Sequence, residues 1–177
     1  VGLQKIDDEF RNTITFTKDG IVHSNGTPIQ LQRHDSKRIT AVIDPMGNTT
    51  RYTYSSVGDL IAVTNPAGEK TQYRYVDHKL AEIVDPLGVR ILENVYDAKG
   101  RLISQRDAFG NATSIASDLN LFKETVEDSR GNKTVLQYDE NGQLIERQDA
   151  LGGRTLFEYD ANWNPSKVTD ALGRVTQ

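Results

Sequence analysis

The sequence predicts an all-β fold, built from tandem β-hairpins of about 21 residues each. Three observations predict it. Glycines recur at Gly47, Gly68, Gly88, Gly110, Gly131, Gly152 and Gly173, at intervals of 21, 20, 22, 21, 21 and 21 residues. Each follows an Asp or Asn by three positions, in strings such as DPMG, DPLG and DALG. Between these strings covered and polar positions alternate, the period of two that a strand with one buried face requires. A period in this range marks a repeat architecture, in which one supersecondary unit is copied and each copy leans on its neighbours.

Taken in order, residues 1–22 fit no copy and are expected to form an irregular N-terminal segment. The array spans 23–177, with units starting near 23, 44, 65, 85, 107, 128, 149 and 170. The first is a weaker copy, with Gly26 at the glycine position and Leu31 in its strand. The last stops after eight residues, so the C-terminus is expected to cut a longer array.

Each unit carries two turn signals. In the first, Asp44, Asn65, Asp85, Asp107, Asp128, Asp149 or Asp170 accepts from the backbone two residues on, and the glycine takes a positive φ that other residues reach only at ~1–2 kcal/mol. Proline follows at Pro45, Pro66 and Pro86, where its fixed φ suits the second position of a tight turn. The second turn reads YDAKGRL at Tyr96 and YDENGQL at Tyr138. The runs between turns have ordinary strand length, so the unit is a hairpin.

The first strand alternates cleanly. Counting from the Asp or Asn, positions seven, nine and eleven read Thr50, Tyr52, Tyr54; Thr71, Tyr73, Tyr75; Thr134, Leu136, Tyr138; and Thr155, Phe157, Tyr159. Tyr96 joins this set once one inserted residue is allowed for, so all seven tyrosines fall on a single predicted ladder. Such cross-strand contacts contribute ~0.2–1 kcal/mol each beyond alanine pairs. The second strand breaks alternation, because Leu60 and Val63 are three apart, as are Pro165 and Val168. A bulge or apolar contact on both faces accounts for this equally well.

Other repeat folds fit less well. A propeller blade needs about 40–45 residues, and the strings show no alternation at that length. The LxxLxL of leucine-rich repeats and the GGxGxDxUx of calcium-binding β-helices are both absent. A β-solenoid with one coil per unit stays open, although two glycine-marked reversals favour a meander.

Composition narrows the function classes. A net charge of -4 disfavours nucleic acid, which needs a basic stripe. No apolar run of 18 residues and no leader at Val1 are present, so neither a membrane span nor a signal peptide is expected. With no cysteine, disulfides and thiolate zinc sites are excluded. The recurrent carboxylates are explained as turn acceptors, and identical environments offer no acid and base pair. His23, His34 and His78 fall in different units without metal-ligand spacing. Neither GxSxG nor GxxxxGK[ST] occurs, and the acidic twelve-residue calcium loop is missing. No catalytic residue, cofactor or metal is therefore expected.

The combination of DxxG, an aromatic strand and YDxxGxL resembles the YD repeat of Rhs-type proteins, well over Asp44–Gln177 and loosely over His23–Ile43. Ser55 and Val76 replace the Asp of the YD pair, Ser117 replaces the Tyr, and Trp163 stands where the second turn has Gly. The resemblance implies a curved, mainly antiparallel sheet that belongs to a larger spiral shell. Such shells enclose a C-terminal toxin domain in bacterial polymorphic toxins and toxin complexes, and serve adhesion in teneurins. It further implies a secreted or cell-surface bacterial protein and no chemistry in the repeats themselves. DPLG at Asp85 is superficially similar to the family's self-cleaving aspartyl motif, but it is embedded in an ordinary repeat and is read as a turn.

Two function classes follow. The favoured one is a structural shell segment whose partners are neighbouring repeats and an encapsulated C-terminal domain. The alternative is a binding or adhesion module for glycans or a surface protein, with Trp163 as the ligand contact; its bland reading is a side chain folded onto its own hairpin or docked on the next unit. Cut strand edges are templates for pairing, so self-association through sheet edges is also expected.

Overall fold

The computed structural model describes residues 3–177. The chain divides into two compact units, Val1–Arg90 and Ile91–Gln177. Within each unit every strand pairs antiparallel with its neighbour in sequence, so among the described residues each unit is a meander of nine strands. In the first unit these are β1 (Lys5–Asp7), β2 (Thr13–Thr17), β3 (Gly20–His23), β4 (Pro28–Arg33), β5 (Ile39–Ile43), β6 (Thr49–Tyr54), β7 (Leu60–Thr64), β8 (Lys70–Val76) and β9 (Lys79–Val84). The second unit holds β10 (Arg90–Tyr96), β11 (Leu102–Asp107), β12 (Ala112–Asp118), β13 (Lys123–Glu127), β14 (Lys133–Tyr138), β15 (Leu144–Gln148), β16 (Arg154–Tyr159), β17 (Pro165–Thr169) and β18 (Val175–Thr176).

Alternation along the strands reappears as alternating burial. In β8, Thr71, Tyr73 and Tyr75 are half-buried while Lys70, Gln72, Arg74 and Val76 are exposed. β16 repeats this with Thr155, Phe157 and Tyr159. Cross-strand partners on that face are Tyr52 with Val63, Tyr73 with Ile83, and Phe157 with Val168. Neither unit has a second layer of described residues over this face. Among the described residues only Gly20, Ala41 and Ala62 are buried, so cohesion comes from pairing within the sheet, one hairpin against the next.

In six of the described hairpins, β4–β5, β6–β7, β8–β9, β10–β11, β14–β15 and β16–β17, the second strand contains a bulge, which settles the choice left open by the sequence. β2–β3 and β12–β13 pair in unbroken register. Tyr54 faces Leu60 and Thr53 faces Ala62, so Ile61 is the extra residue. The same step occurs between Tyr138 and Leu144, skipping Ile145, and between Tyr159 and Pro165, skipping Ser166. Inserting one residue returns Val63 and Val168 to the tyrosine face, which is why apolar positions there are three apart.

One expectation requires correction. The segment before His23, read as irregular, is mostly strand, namely β1, β2 and most of β3. Its first reversal is the array's own turn without the glycine: Asp8 Oδ1 accepts from the amides of Phe10 and Asn12 at 2.9 and 2.8 Å, and Arg11 takes the positive φ of 68°. The following step to Gly26 is 15 residues, not 21, because β2 and β3 are short. Loss of both the glycine and the phase hid this copy.

Candidate functional site

The repeated chemistry of the chain lies in its turns and its tyrosine ladder. Both turn classes share one geometry. At Asp44 the carboxylate Oδ1 accepts from the amides of Met46 and Asn48, each at 2.8 Å. The Gly47 amide donates to the Asp44 carbonyl, and the Asp44 amide donates to the Asn48 carbonyl, both at 3.0 Å. This is a tight turn closed by a residue in the left-handed region, a common three-residue hairpin loop. Asp85, Asp107, Asp128, Asp149 and Asp170 repeat it, with φ between 78° and 86° at Gly88, Gly110, Gly131, Gly152 and Gly173. Asn65 keeps the reach to the fourth residue, accepting from the Glu69 amide at 2.9 Å, with Gly68 at φ 86°. The second turn class is the same loop at Asp97, Asp139 and Asp160.

A further participant stands one residue past the glycine. Asn48, Asn111, Asn132 and Asn164 donate their side-chain amides to Oδ2 of the turn aspartate. Arg101 and Arg174 reach the same atom with Nε. These bonds stabilise the ionised carboxylate. The Asn48, Asn111 and Asn132 side chains, assisted by backbone amides, hold Asp44, Asp107 and Asp128 below the ordinary carboxylate pKa. At Asp97 and Asp170 the amide of Arg101 or Arg174 contributes most to the same downward shift. The signal was legible in the strings DPMGN, DAFGN and DSRGN.

The histidines belong to this pattern. Nδ1 of His23 accepts from the Asn25 amide at 3.1 Å and Nδ1 of His34 from the Ser36 amide at 3.3 Å, each at the position aspartate takes elsewhere. His78 sits instead in the two-residue Asp77–His78 turn, where both residues have positive φ, and its Nδ1 lies 2.8 Å from Asp59 Oδ1 of the preceding hairpin.

All seven tyrosines lie on first strands of hairpins: Tyr52 and Tyr54 on β6, Tyr73 and Tyr75 on β8, Tyr96 on β10, Tyr138 on β14 and Tyr159 on β16. At Tyr54 and Tyr159, both at position eleven, the hydroxyl ties hairpins together. Tyr54 donates to the Ile39 carbonyl at 2.9 Å and Tyr159 to the Leu144 carbonyl at 3.0 Å, each in the hairpin before. Burial pushes the Tyr75 and Tyr138 phenols above their ordinary pKa, with nearby Asp59 and Glu124 adding to it.

Trp163 occupies the glycine position of its turn at φ 68°, with its amide donating to the Asp160 carbonyl at 3.0 Å. Its side chain is 56% exposed and lines an open concavity with Ile145, Phe157 and Tyr159. Among the described residues no group of three or more His, Asp or Glu side chains is placed to hold a metal ion.

The family model for the RHS repeat matches residues 54–90 and 138–175. These two stretches match the RHS repeat. Each match begins at a position-eleven tyrosine, Tyr54 or Tyr138, and contains a DxxG turn. The hairpin array is a structural repeat scaffold. No curated protein matches the chain. Similar solved structures include TcdB2-TccC3 without its hypervariable C-terminal region, at 13% identity and TM-score 0.45 over 90% of this chain and 10% of that one. The Tc holotoxin pore of Photorhabdus luminescens matches at 13% identity and TM-score 0.47, over 93% of this chain and 11% of that one. A TcdB2-TccC3-Cdc42 structure matches at 13% and 0.48, over 97% and 11%. The chain spans about a tenth of the length of these structures.

Proposed function

We propose that this Rhs segment is a non-enzymatic wall piece of a secreted or cell-surface bacterial shell that encloses a C-terminal toxin or effector domain. The repeat array of this wall runs over 23–177, one hairpin per unit, preceded by the further copy turned at Asp8. One observation carries the reading: the recurring polar groups are used up by the scaffold. Turn aspartates close their own loops, and the position-eleven hydroxyls of Tyr54 and Tyr159 bond the preceding hairpin. The family match to the RHS repeat supports the same role.

The test is protease protection in the parent protein. A domain carried behind the array should resist digestion until the array is unfolded by denaturant. Equal digestion rates for that domain alone and behind the array would overturn enclosure.

Trp163 favours a second reading as a glycan or surface-protein contact, because its exposed ring stands beside Phe157 and Tyr159. Here a glycan screen should give hits that Trp163→Ala abolishes, and hits that survive the substitution would remove Trp163 from the site.

A further inference from the structure

In the second turn class, the fifth residue can serve the carboxylate that opens the loop. Arg101 donates from Nε to Asp97 Oδ2 at 2.8 Å, and the Asn164 side chain reaches Asp160 Oδ2 at 3.1 Å. Arg38 stands at the same fifth position, but its loop opens with His34. An imidazole cannot pair with a guanidinium. Among the described residues Arg38 makes no ion pair, and its hydrogen bond goes to the Ser36 hydroxyl at 3.5 Å.

The guanidinium turns instead toward the following hairpin. It lies 5.8 Å from the centre of the Tyr54 ring and fills the space that a Cβ at Gly58 would take. The second turn of that hairpin also opens without a carboxylate, because Ser55 stands in the aspartate's place. Two adjacent turns thus lose their carboxylates together, and residues of both line a cavity of about 540 Å³. Its lining includes His34, Arg38, Ser36, Ser55, Ser56 and the rings of Tyr52 and Tyr54, with no Asp or Glu.

The nearby acids are engaged or offset. Asp59 holds His78 at 2.8 Å, and Asp35 shares its loop tip with Lys37. The cavity therefore keeps an unpaired cation in a chain whose net charge is -4. Nδ1 of His34 accepts from the Ser36 amide, which puts the ring proton on Nε2 as a further donor. A guanidinium fork, an imidazole N–H and three hydroxyls offer more donors than the two oxygens of a carboxylate use, and they suit the three terminal oxygens of a phosphate ester. The tyrosine rings supply an apolar wall for the organic body, and the volume is that of a small-molecule site.

We propose that this cavity binds a phosphomonoester, with the phosphate on Arg38 and the organic group against Tyr52 and Tyr54.

A single substitution restores what other turns have. In isothermal titration calorimetry at low salt, the chain should bind phenyl phosphate saturably and at least threefold tighter than inorganic phosphate. His34→Asp gives Arg38 the partner that Arg101 has, and should weaken phenyl phosphate binding at least tenfold with an unchanged far-UV spectrum. Arg38→Lys keeps the charge but loses the fork, and should weaken binding several-fold; Arg101→Lys should leave it unchanged. Undiminished binding in His34→Asp and Arg38→Lys, or no binding by the unaltered chain, overturns the proposal. Inorganic phosphate binding as tightly as phenyl phosphate would remove the organic group from the site, and benzoate binding as tightly would replace phosphate by carboxylate; both overturn it.

Discussion

At the scale of single residues, the fold depends on a few backbone positions and on one carboxylate per turn. Gly131 has φ 82° and only a distant Glu127 oxygen, at 3.9 Å, would approach an added Cβ, so replacing it strains the backbone without a clash. Gly131→Val should destabilise by ~1–2 kcal/mol, measured by urea denaturation. Lys37 holds the same turn position at φ 65° and is exposed. Lys37→Gly should therefore stabilise, by about 1 kcal/mol, and raise the melting temperature.

Three turn aspartates, Asp44, Asp107 and Asp128, set a pH dependence. The folded pKa of Asp44, Asp107 and Asp128 lies below the ordinary value of 3.8 because Asn48, Asn111 and Asn132 hydrogen-bond the ionised form. A group depressed on folding contributes fully above its unfolded pKa and loses that contribution as pH falls through the folded value. The melting temperature should stay level from pH 7 down to about 5 and fall below about 4, where the unfolded chain begins to take up protons. Asp128→Asn should make that fall shallower. A melting temperature that is level down to pH 2 would contradict the assignment.

At the scale of the hairpin, the bulge and the tyrosine act together. The bulge in the second strand turns Leu60 and Val63 to one face, opposite Tyr54 and Tyr52. Tyr54 then reaches back across its neighbour to the Ile39 carbonyl. Removing the hydroxyl in Tyr54→Phe or Tyr159→Phe should cost about 0.5–1.5 kcal/mol, the net worth of one hydrogen bond. Since ring and register are kept, the loss should come from the contact between hairpins. A double-mutant cycle between Tyr54→Phe and Tyr159→Phe, in separate units, should show additivity.

At the scale of the whole molecule, each unit is a meander without a covering layer, and stability is a sum of local terms plus contacts between adjacent hairpins. Damage should therefore stay local. In hydrogen exchange, Gly131→Val should speed exchange in β13 and β14, which flank its turn, and leave β5 and β6 unchanged. Uniform acceleration over both units would show a single cooperative core instead.

What the sequence determined by itself was everything with a short reach. The glycine spacing located the turns, and the alternation of Tyr73 and Tyr75 with Gln72 and Arg74 located the strands, because turn conformation and strand period act over two to five residues. The Asn that follows DxxG was visible as well, but its partner atom was not, since only the closed loop brings Asn48 onto Asp44 Oδ2. The copy at Asp8 is not legible in the sequence because Arg11 stands at the glycine position, and hydrogen bonds from Asn12 hold the loop despite that. Tertiary structure alone decided the bulge at Ile61, the tie from Tyr54 to Ile39 fifteen residues away, and the gathering of His34, Arg38 and Ser55 around one cavity. Those depend on register between strands, which is set when hairpins pair and is not written in any single repeat.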